Sequence, residues 1–398
     1  MANGINIVIG ICGGIAAYKG LELVSALKKL EFNIDVIMTK AATKFVTPLS
    51  FQSLSLNPVV VDMFEQPKTW EISHISLAKK ADIFVVIPAT ADIIGKVACG
   101  IADDMLTTTI MATKAQVLFA PAMNTKMYEN LIVQSNIKKL REYGYHFVEP
   151  AVGRLACGDV GKGKLADVDD ILDEIGTLIV KKKDFKGSRV LVTAGPTIEP
   201  IDPVRYITNR SSGRMGYAIA ECARDRGAEV LLITGPVHIK EPRNIDIIHI
   251  KTNEDMYSSV MENYKNCDAV IKAAAPADYR PLEYSKQKIK KNKGELVLKL
   301  TKNIDILNEL GKIKGDKILV GFAAESQNII ENAKEKLEEK NLDFIVANDI
   351  SSVDTGFNSE YNKACIISRD RTEDLPRMSK RELADKILDN IKRISANK

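Results

Sequence analysis

The chain has 398 residues, 45% of them hydrophobic and 27% charged, which excludes wholesale disorder and at this length calls for two or three cores. Its 56 basic and 52 acidic residues leave a net charge of +4, too balanced for a protein whose main partner is nucleic acid. No apolar run approaches the roughly 20 residues of a membrane span, and Met1 leads straight into a strand pattern with no leader-like block, so the expectation is a soluble cytoplasmic protein acting on small molecules.

In chain order, short Val-, Ile- and Phe-rich runs at 5–9, 34–38, 83–87, 117–120 and 147–148 alternate with helical stretches at 15–29, 73–80, 103–113 and 126–143. Runs so continuously apolar predict strands covered on both faces, hence a doubly wound parallel sheet. After a helix at 169–180 comes a basic connector, 181–188. A second series follows, with strands at 189–193, 230–234, 269–271, 318–322, 344–347 and 364–368 and a last helix at 379–393. The reading is α/β throughout: two tandem Rossmann-like domains, 1–186 and 187–398. Six cysteines, at 12, 99, 157, 222, 267 and 365, form no CxxC pair and read as reduced thiols, not a disulfide or zinc framework.

The first strand runs into Gly10-Ile11-Cys12-Gly13-Gly14-Ile15-Ala16-Ala17-Tyr18-Lys19. Glycines let backbone N–H groups approach an anion at the start of a helix. A tight turn without a ligand has the same look. The run is not GxGxxG, and the next strand ends in Met38-Thr39 where NAD binders carry an acid; this favours a mononucleotide such as FMN. Two further strand ends, Pro88-Ala89-Thr90-Ala91-Asp92 and Pro121-Ala122-Met123-Asn124-Thr125-Lys126-Met127-Tyr128, should line the same crevice. Cys157 lies in the glycine-rich stretch 153–164, which reads as an exposed, mobile loop.

These segments resemble the homo-oligomeric flavin-containing cysteine decarboxylases, with Tyr128 where many members carry Trp. The resemblance implies FMN held by Gly13, Gly14, Ile15, Thr39, Pro88, Ala89 and Thr90. It implies His74 as an essential base, Asn124 and Met127 at the substrate, and a flap carrying Cys157 as proton donor. A lone histidine is otherwise as well explained as a satisfied core or surface residue. The chemistry suits these types: oxidising the cysteine thiol to a thioaldehyde makes the carboxylate a leaving group, after which hydride and proton return.

In the second half, Ser211-Ser212-Gly213 precedes an amphipathic helix and clusters hydroxyls and N–H groups as a phosphate cradle. Ala273-Ala274-Ala275-Pro276-Ala277-Asp278 follows a strand, its small residues leaving room for a ligand. Lysines 286, 288, 290, 291 and 293 form a charge run that is ordinarily a solvated face. The stretch 194–216 resembles the phosphopantothenate–cysteine ligases. Together the halves resemble the bifunctional phosphopantothenoylcysteine decarboxylase/phosphopantothenate–cysteine ligase family over nearly the full chain.

That resemblance implies CTP as co-substrate with Mg2+ or Mn2+, Lys288 as catalytic lysine and Asn209 orienting an acyl-nucleotide. Nucleotide contacts are implied at Ala273, Ala274, Ala275, Asp278, Asn303, Ile304, Asp305, Ile306, Phe322, Lys336 and Lys340. Asp278 is also the candidate metal contact. Substrate contacts are implied at Arg205, Ser211, Ser212 and Gly213, Arg205 serving phosphate or packing. The resemblance also implies trimeric contacts of the first domain and dimeric ones of the second, which together would build a homo-oligomer of twelve chains. Two other readings stand beside this one: a peptidyl-cysteine decarboxylase, and a non-catalytic regulatory subunit of decarboxylase-like fold.

Overall fold

The structure is a computed structural model and describes residues 4–64, 72–156, 158–180, 182–290, 296–325, 329–349, 359 and 361–397. The chain divides into two compact units, one ending at the connector and one beginning with Lys182. The connector's Phe185 is buried in the second unit's core.

The first unit comprises β1 (Asn6–Ile11), α1 (Ala17–Lys29), β2 (Asn33–Met38), α2 (Pro48–Ser55), β3 (Val59–Val60), α3 (Ser73–Lys80), β4 (Ile83–Ala89), α4 (Ala91–Ala98), α5 (Met105–Ala112), β5 (Gln116–Pro121), α6 (Thr125–Tyr128), α7 (Leu131–Glu142), β6 (His146–Phe147), β7 (Ala151–Arg154), β8 (Val160–Lys164) and α8 (Val168–Ile179). Its parallel sheet has the order β3-β2-β1-β4-β5-β6. The chain therefore winds outward both ways from β1 and β4, the doubly wound, flavodoxin-like plan. Alternate residues explain the unbroken apolar runs: Ile7 and Ile9 pack into one layer and Val8 into the other.

Three details differ from the periodicity. The predicted 126–143 helix is two helices, because the Asn130 side chain accepts from the Ile132 N–H at 2.9 Å and starts a new one. Helices α2 and α4 have too few periodic residues to show in the sequence. The 153–164 stretch contributes to an antiparallel hairpin of β7 and β8, more ordered than the loop its glycines suggest.

The second unit comprises β9 (Arg189–Ala194), β10 (Ile198–Pro200), β11 (Tyr206–Thr208), α9 (Arg214–Asp225), β12 (Glu229–Thr234), β13 (Asp246–His249), α10 (Asn253–Asn263), β14 (Ala269–Lys272), β15 (Tyr279–Pro281), β16 (Leu300–Lys302), α11 (Ile306–Lys312), β17 (Ile318–Glu325), α12 (Ile329–Glu339), β18 (Phe344–Asp349), β19 (Tyr361–Asn362), β20 (Ala364–Ser368), β21 (Thr372–Asp374), β22 (Met378–Ser379) and α13 (Lys380–Asn397). Its main sheet has the order β13-β12-β9-β14-β17-β18-β20-β21, parallel as far as β18 and antiparallel beyond. The winding reverses between β9 and β14, which opens a crevice beyond their carboxyl ends.

Candidate active sites

In the first unit, a cavity of about 1170 Å³ lies beyond the carboxyl ends of β1, β2, β4 and β5. Pockets for small molecules and cofactors span roughly 300–1,000 Å³, so this one lies just past the large end of that range. Gly13, Gly14, Ile15, Thr39, Pro88 and Thr90 all line it, whereas Ala89 is buried behind them, its carbonyl accepting from the Ala122 N–H at 3.1 Å. A Cβ on Gly13 would sit 2.4 Å from that of Ala41, so only glycine lets the two loops meet. Helix α1 has Ala16 at its N-cap, no capping side chain and no acid in its first turn. Its positive end faces the glycine turn with backbone donors free of side-chain caps, and so fits the phosphate of a flavin mononucleotide.

Asn124 and Met127 line the same cavity. Asn124 caps α6, its Oδ1 accepting from the Lys126 N–H at 2.9 Å, and its Nδ2 donates to Asp159 Oδ2 at 3.0 Å. Asp159 sits at the tip of the hairpin, a partner no sequence motif announced. Arg154, Leu155 and Ala156 complete the cavity wall. Cys157 lies outside the described residues. Cys12 also lines the cavity, but burial pushes its thiol well up and keeps it neutral.

The hairpin is pinned at its base. Gly163 has φ +143°, and the Met123 N–H donates to its carbonyl at 3.0 Å. Burial alone would raise the Glu149 carboxyl, but bonds from Lys162 of β8, at 2.7 Å, and from Arg141 of α7 bring it down to about 2. The Tyr128 hydroxyl donates to the same carboxylate at 3.2 Å. His74, half-buried on α3, is not in the wall of this cavity.

The second unit has a cavity of about 290 Å³ at the β9/β14 switch point. Ser211, Ser212 and Gly213 line it. Gly213 is the N-cap of α9 at φ +76°, with no capping side chain and no acid in the first turn, so this helix too presents uncapped donors. Ala273, Ala274, Ala275, Asp278, Asn303, Ile304, Asp305, Ile306, Phe322, Lys336 and Lys340 all line the cavity. The Asn303 Nδ2 donates to Ala277 O at 2.8 Å, and Asp305 pairs with Lys340 at 2.7 Å.

Three expected residues stand outside that wall. Asn209 braces it, its Nδ2 donating to the carbonyls of Ala275 (3.2 Å) and Pro276 (2.9 Å). Arg205 donates to Ile289 O at 3.2 Å and lies 3.6 Å from Asp202, whose Oδ2 accepts from the Ile289 N–H at 3.1 Å. Arg205 thus positions the lysine segment. Lys288 is exposed on that segment, while Lys291 and Lys293 lie outside the described residues. Among the described residues no group of three or more His, Cys, Asp or Glu could hold a metal ion.

Sequence reasoning passed over Lys272, Asn253, Asn348, Asn362 and Lys380, which also line this cavity. Lys272 ends β14 and lies just past the apolar run 269–271 that marks the strand in the sequence. The others come from distant elements with no local motif.

The two halves match two family models, Flavoprotein over residues 1–180 and the DNA/pantothenate metabolism flavoprotein C-terminal domain over 185–394. The coenzyme A biosynthesis bifunctional protein CoaBC of Bacillus subtilis is 45% identical, across 99% of this chain and 98% of that protein. Its namesake from Borreliella burgdorferi is also 45% identical, across 96% and 98%. The chain belongs to the CoaBC family. A solved C-terminal domain of a CoaBC protein is 41% identical, covering 54% of this chain and 98% of that one, with a TM-score of 0.47. The two family models meet in the 181–184 stretch, so each CoaBC half has its own sheet and its own cavity.

Proposed function

We propose that the chain performs two consecutive steps of coenzyme A biosynthesis, with the second unit acting first. Residues 187–398 would join 4'-phosphopantothenate to cysteine at the expense of CTP, and residues 1–186 would decarboxylate the product to 4'-phosphopantetheine. The observation that carries this reading is the repeated arrangement: two cavities at strand carboxyl ends, each headed by a helix N-terminus without a capping side chain.

In the ligase unit, the α9 N-terminus and Ser211 and Ser212 would hold phosphates. The substrate carboxylate attacks the α-phosphate, pyrophosphate leaves, and the cysteine amine then displaces CMP. Lys288, on a segment tied down by Asp202 and Arg205, would stabilise charge on the phosphoryl oxygens. Mg2+ or Mn2+ would arrive with the triphosphate, held mainly by its phosphates and touched by Asp278.

In the decarboxylase unit, Gly13, Gly14, Ile15, Thr39, Pro88 and Thr90 would cradle FMN. When bound, FMN supplies the reversible two-electron oxidation of the substrate's thiol carbon that makes CO2 a leaving group. The Asn124 Nδ2 would exchange Asp159 for the substrate carboxylate, so substrate entry and hairpin position are coupled. Cys157 would return the proton, and the hairpin would exclude water.

His74 would have to reach the substrate from a neighbouring copy, because it is absent from its own cavity wall. A homo-oligomer is therefore part of the proposal. It is supported by runs of exposed apolar side chains, Leu131 and Ile132 in the first unit and Leu296, Val297 and Leu298 in the second. The balanced charge, and the lack among the described residues of any helix long and apolar enough to cross a membrane, fit a cytoplasmic setting.

Asn209→Ala tests the division of labour. Losing two wall-bracing hydrogen bonds should slow ligation by about 10- to 100-fold. Decarboxylation of supplied 4'-phosphopantothenoylcysteine should be unchanged; an equal loss of both activities would refute the assignment.

A further inference from the structure

Lys272 is the last residue of β14, flanked in register by Thr193 of β9 and Gly321 of β17, so it stands at the β9/β14 switch point. Near it are Asp305, the N-cap of α11, and Lys340, just past α12, with Asp278 on the loop that follows β14. Asn253 lines the same cavity and is 1% exposed. Its backbone N–H donates to the buried Glu199 carboxylate at 2.9 Å and its Nδ2 to Ile304 O at 2.9 Å. Both residues therefore meet the 303–306 turn, where nucleotide contacts are expected.

The Asn253 amide is fixed from both sides, yet its Oδ1 is buried with no hydrogen-bond partner. A buried acceptor left unpaired is costly and points to a donor supplied from outside the chain. An ammonium is donor-only, and an amide oxygen acceptor-only. Cytosine presents a complementary edge, ring acceptors beside an exocyclic amine. Uracil presents an N–H and a carbonyl oxygen in those places, setting donor against donor and acceptor against acceptor.

Building on the nucleotide reading of this cavity, we propose that Lys272 and Asn253 read the base. Lys272 donates to the ring acceptors and Asn253 Oδ1 accepts from the exocyclic amine, selecting an amino-pyrimidine over a keto one. A site built to pair with a polar group discriminates strongly against the analogue lacking it. Burial pushes the Lys272 ammonium down to about 8, opposed by Asp305 and Asp278 and reinforced by Lys340, so the charge that grips the base is lost as pH rises through that value.

The test is calorimetric titration of the full chain with CTP and with UTP in the presence of Mg2+. Wild type should bind CTP at least about 10-fold more tightly than UTP, weakening above pH 8. Lys272→Met should weaken CTP about 10-fold or more. Lys272→Arg should keep CTP binding but lose its pH dependence, which a merely damaged fold would not do. Asn253→Ala should bring CTP and UTP within about threefold. An unchanged thermal unfolding profile checks that each variant's second unit is folded, and decarboxylation, in the other unit, should be unaffected. Wild-type affinity and selectivity in both Lys272→Met and Asn253→Ala would overturn the proposal even if ligation is observed. Selective CTP binding without any ligation would overturn the reaction assigned to the cavity and leave the base-reading pair standing.

Discussion

Gly235→Ala is expected to abolish ligation while leaving decarboxylation intact. A Cβ at Gly235 would lie 1.7 Å from the carbonyl oxygen of Pro196 and 2.8 Å from its carbonyl carbon. Both neighbours are backbone, so no side chain can rotate away. The 195–197 loop must move, and it is stitched to the nucleotide wall: the Ala275 N–H donates to Gly195 O at 2.9 Å, the Ala277 N–H to Thr197 Oγ1 at 3.0 Å, and Pro196 bridges Ala275. A shift on the order of 1 Å at reacting groups costs about 100-fold in rate, and the ligation rate should fall by at least that much. Assays of CTP-dependent pyrophosphate release and of CO2 release on one preparation decide it. Unchanged ligation would mean that this loop does not shape the site.

The mirror-image prediction concerns Gly163. Its φ of +143° is open to glycine and strained for any other residue, and a Cβ there would lie 2.4 Å from Met123 O. Gly163→Ala should lift the β7–β8 hairpin from the 123–125 loop. Asn124 would lose its hold on Asp159, and the cavity its cover. We expect decarboxylation to drop by about 100-fold or more, with ligation unaltered and flavin retained, since the glycine turn before α1 is untouched. Loss of flavin together with activity would place the hairpin's role in cofactor retention instead.

The two halves were legible in sequence to different depths. The sheets were readable because strands buried on both faces must be apolar at every position, as Ile7, Val8 and Ile9 are. The turns proposed to hold phosphates were readable as candidates because glycine, or Ser-Ser-Gly, before a helix leaves backbone N–H groups open to an anion, although a ligand-free turn has the same look. The break between α6 and α7 was not, because one asparagine cap interrupts an otherwise continuous periodicity. Nor was the hairpin, whose pairing competes with the loop character of its own glycines.

At the sites, contiguous segments such as 273–278 and 303–306 were found together, whereas isolated contributors were missed. Asp159, Lys272 and Asn253 acquire meaning only through what the fold sets against them: Asn124, Asp305 and an unpaired amide oxygen. Of the two roles open to Arg205, phosphate contact or packing, its bond to Ile289 O fits the second.

Both cavities are read as nucleotide sites serving one reaction sequence, and the most direct test is a single incubation of the full chain. Purified protein reconstituted with FMN is given 4'-phosphopantothenate, cysteine, Mg2+ and CTP, and the products are followed by mass. The expected result is stoichiometric CMP and pyrophosphate, transient 4'-phosphopantothenoylcysteine, and its conversion to 4'-phosphopantetheine with loss of CO2. Intact triphosphate in the presence of both acceptor and amino acid, or a protein that takes up no flavin, would contradict it.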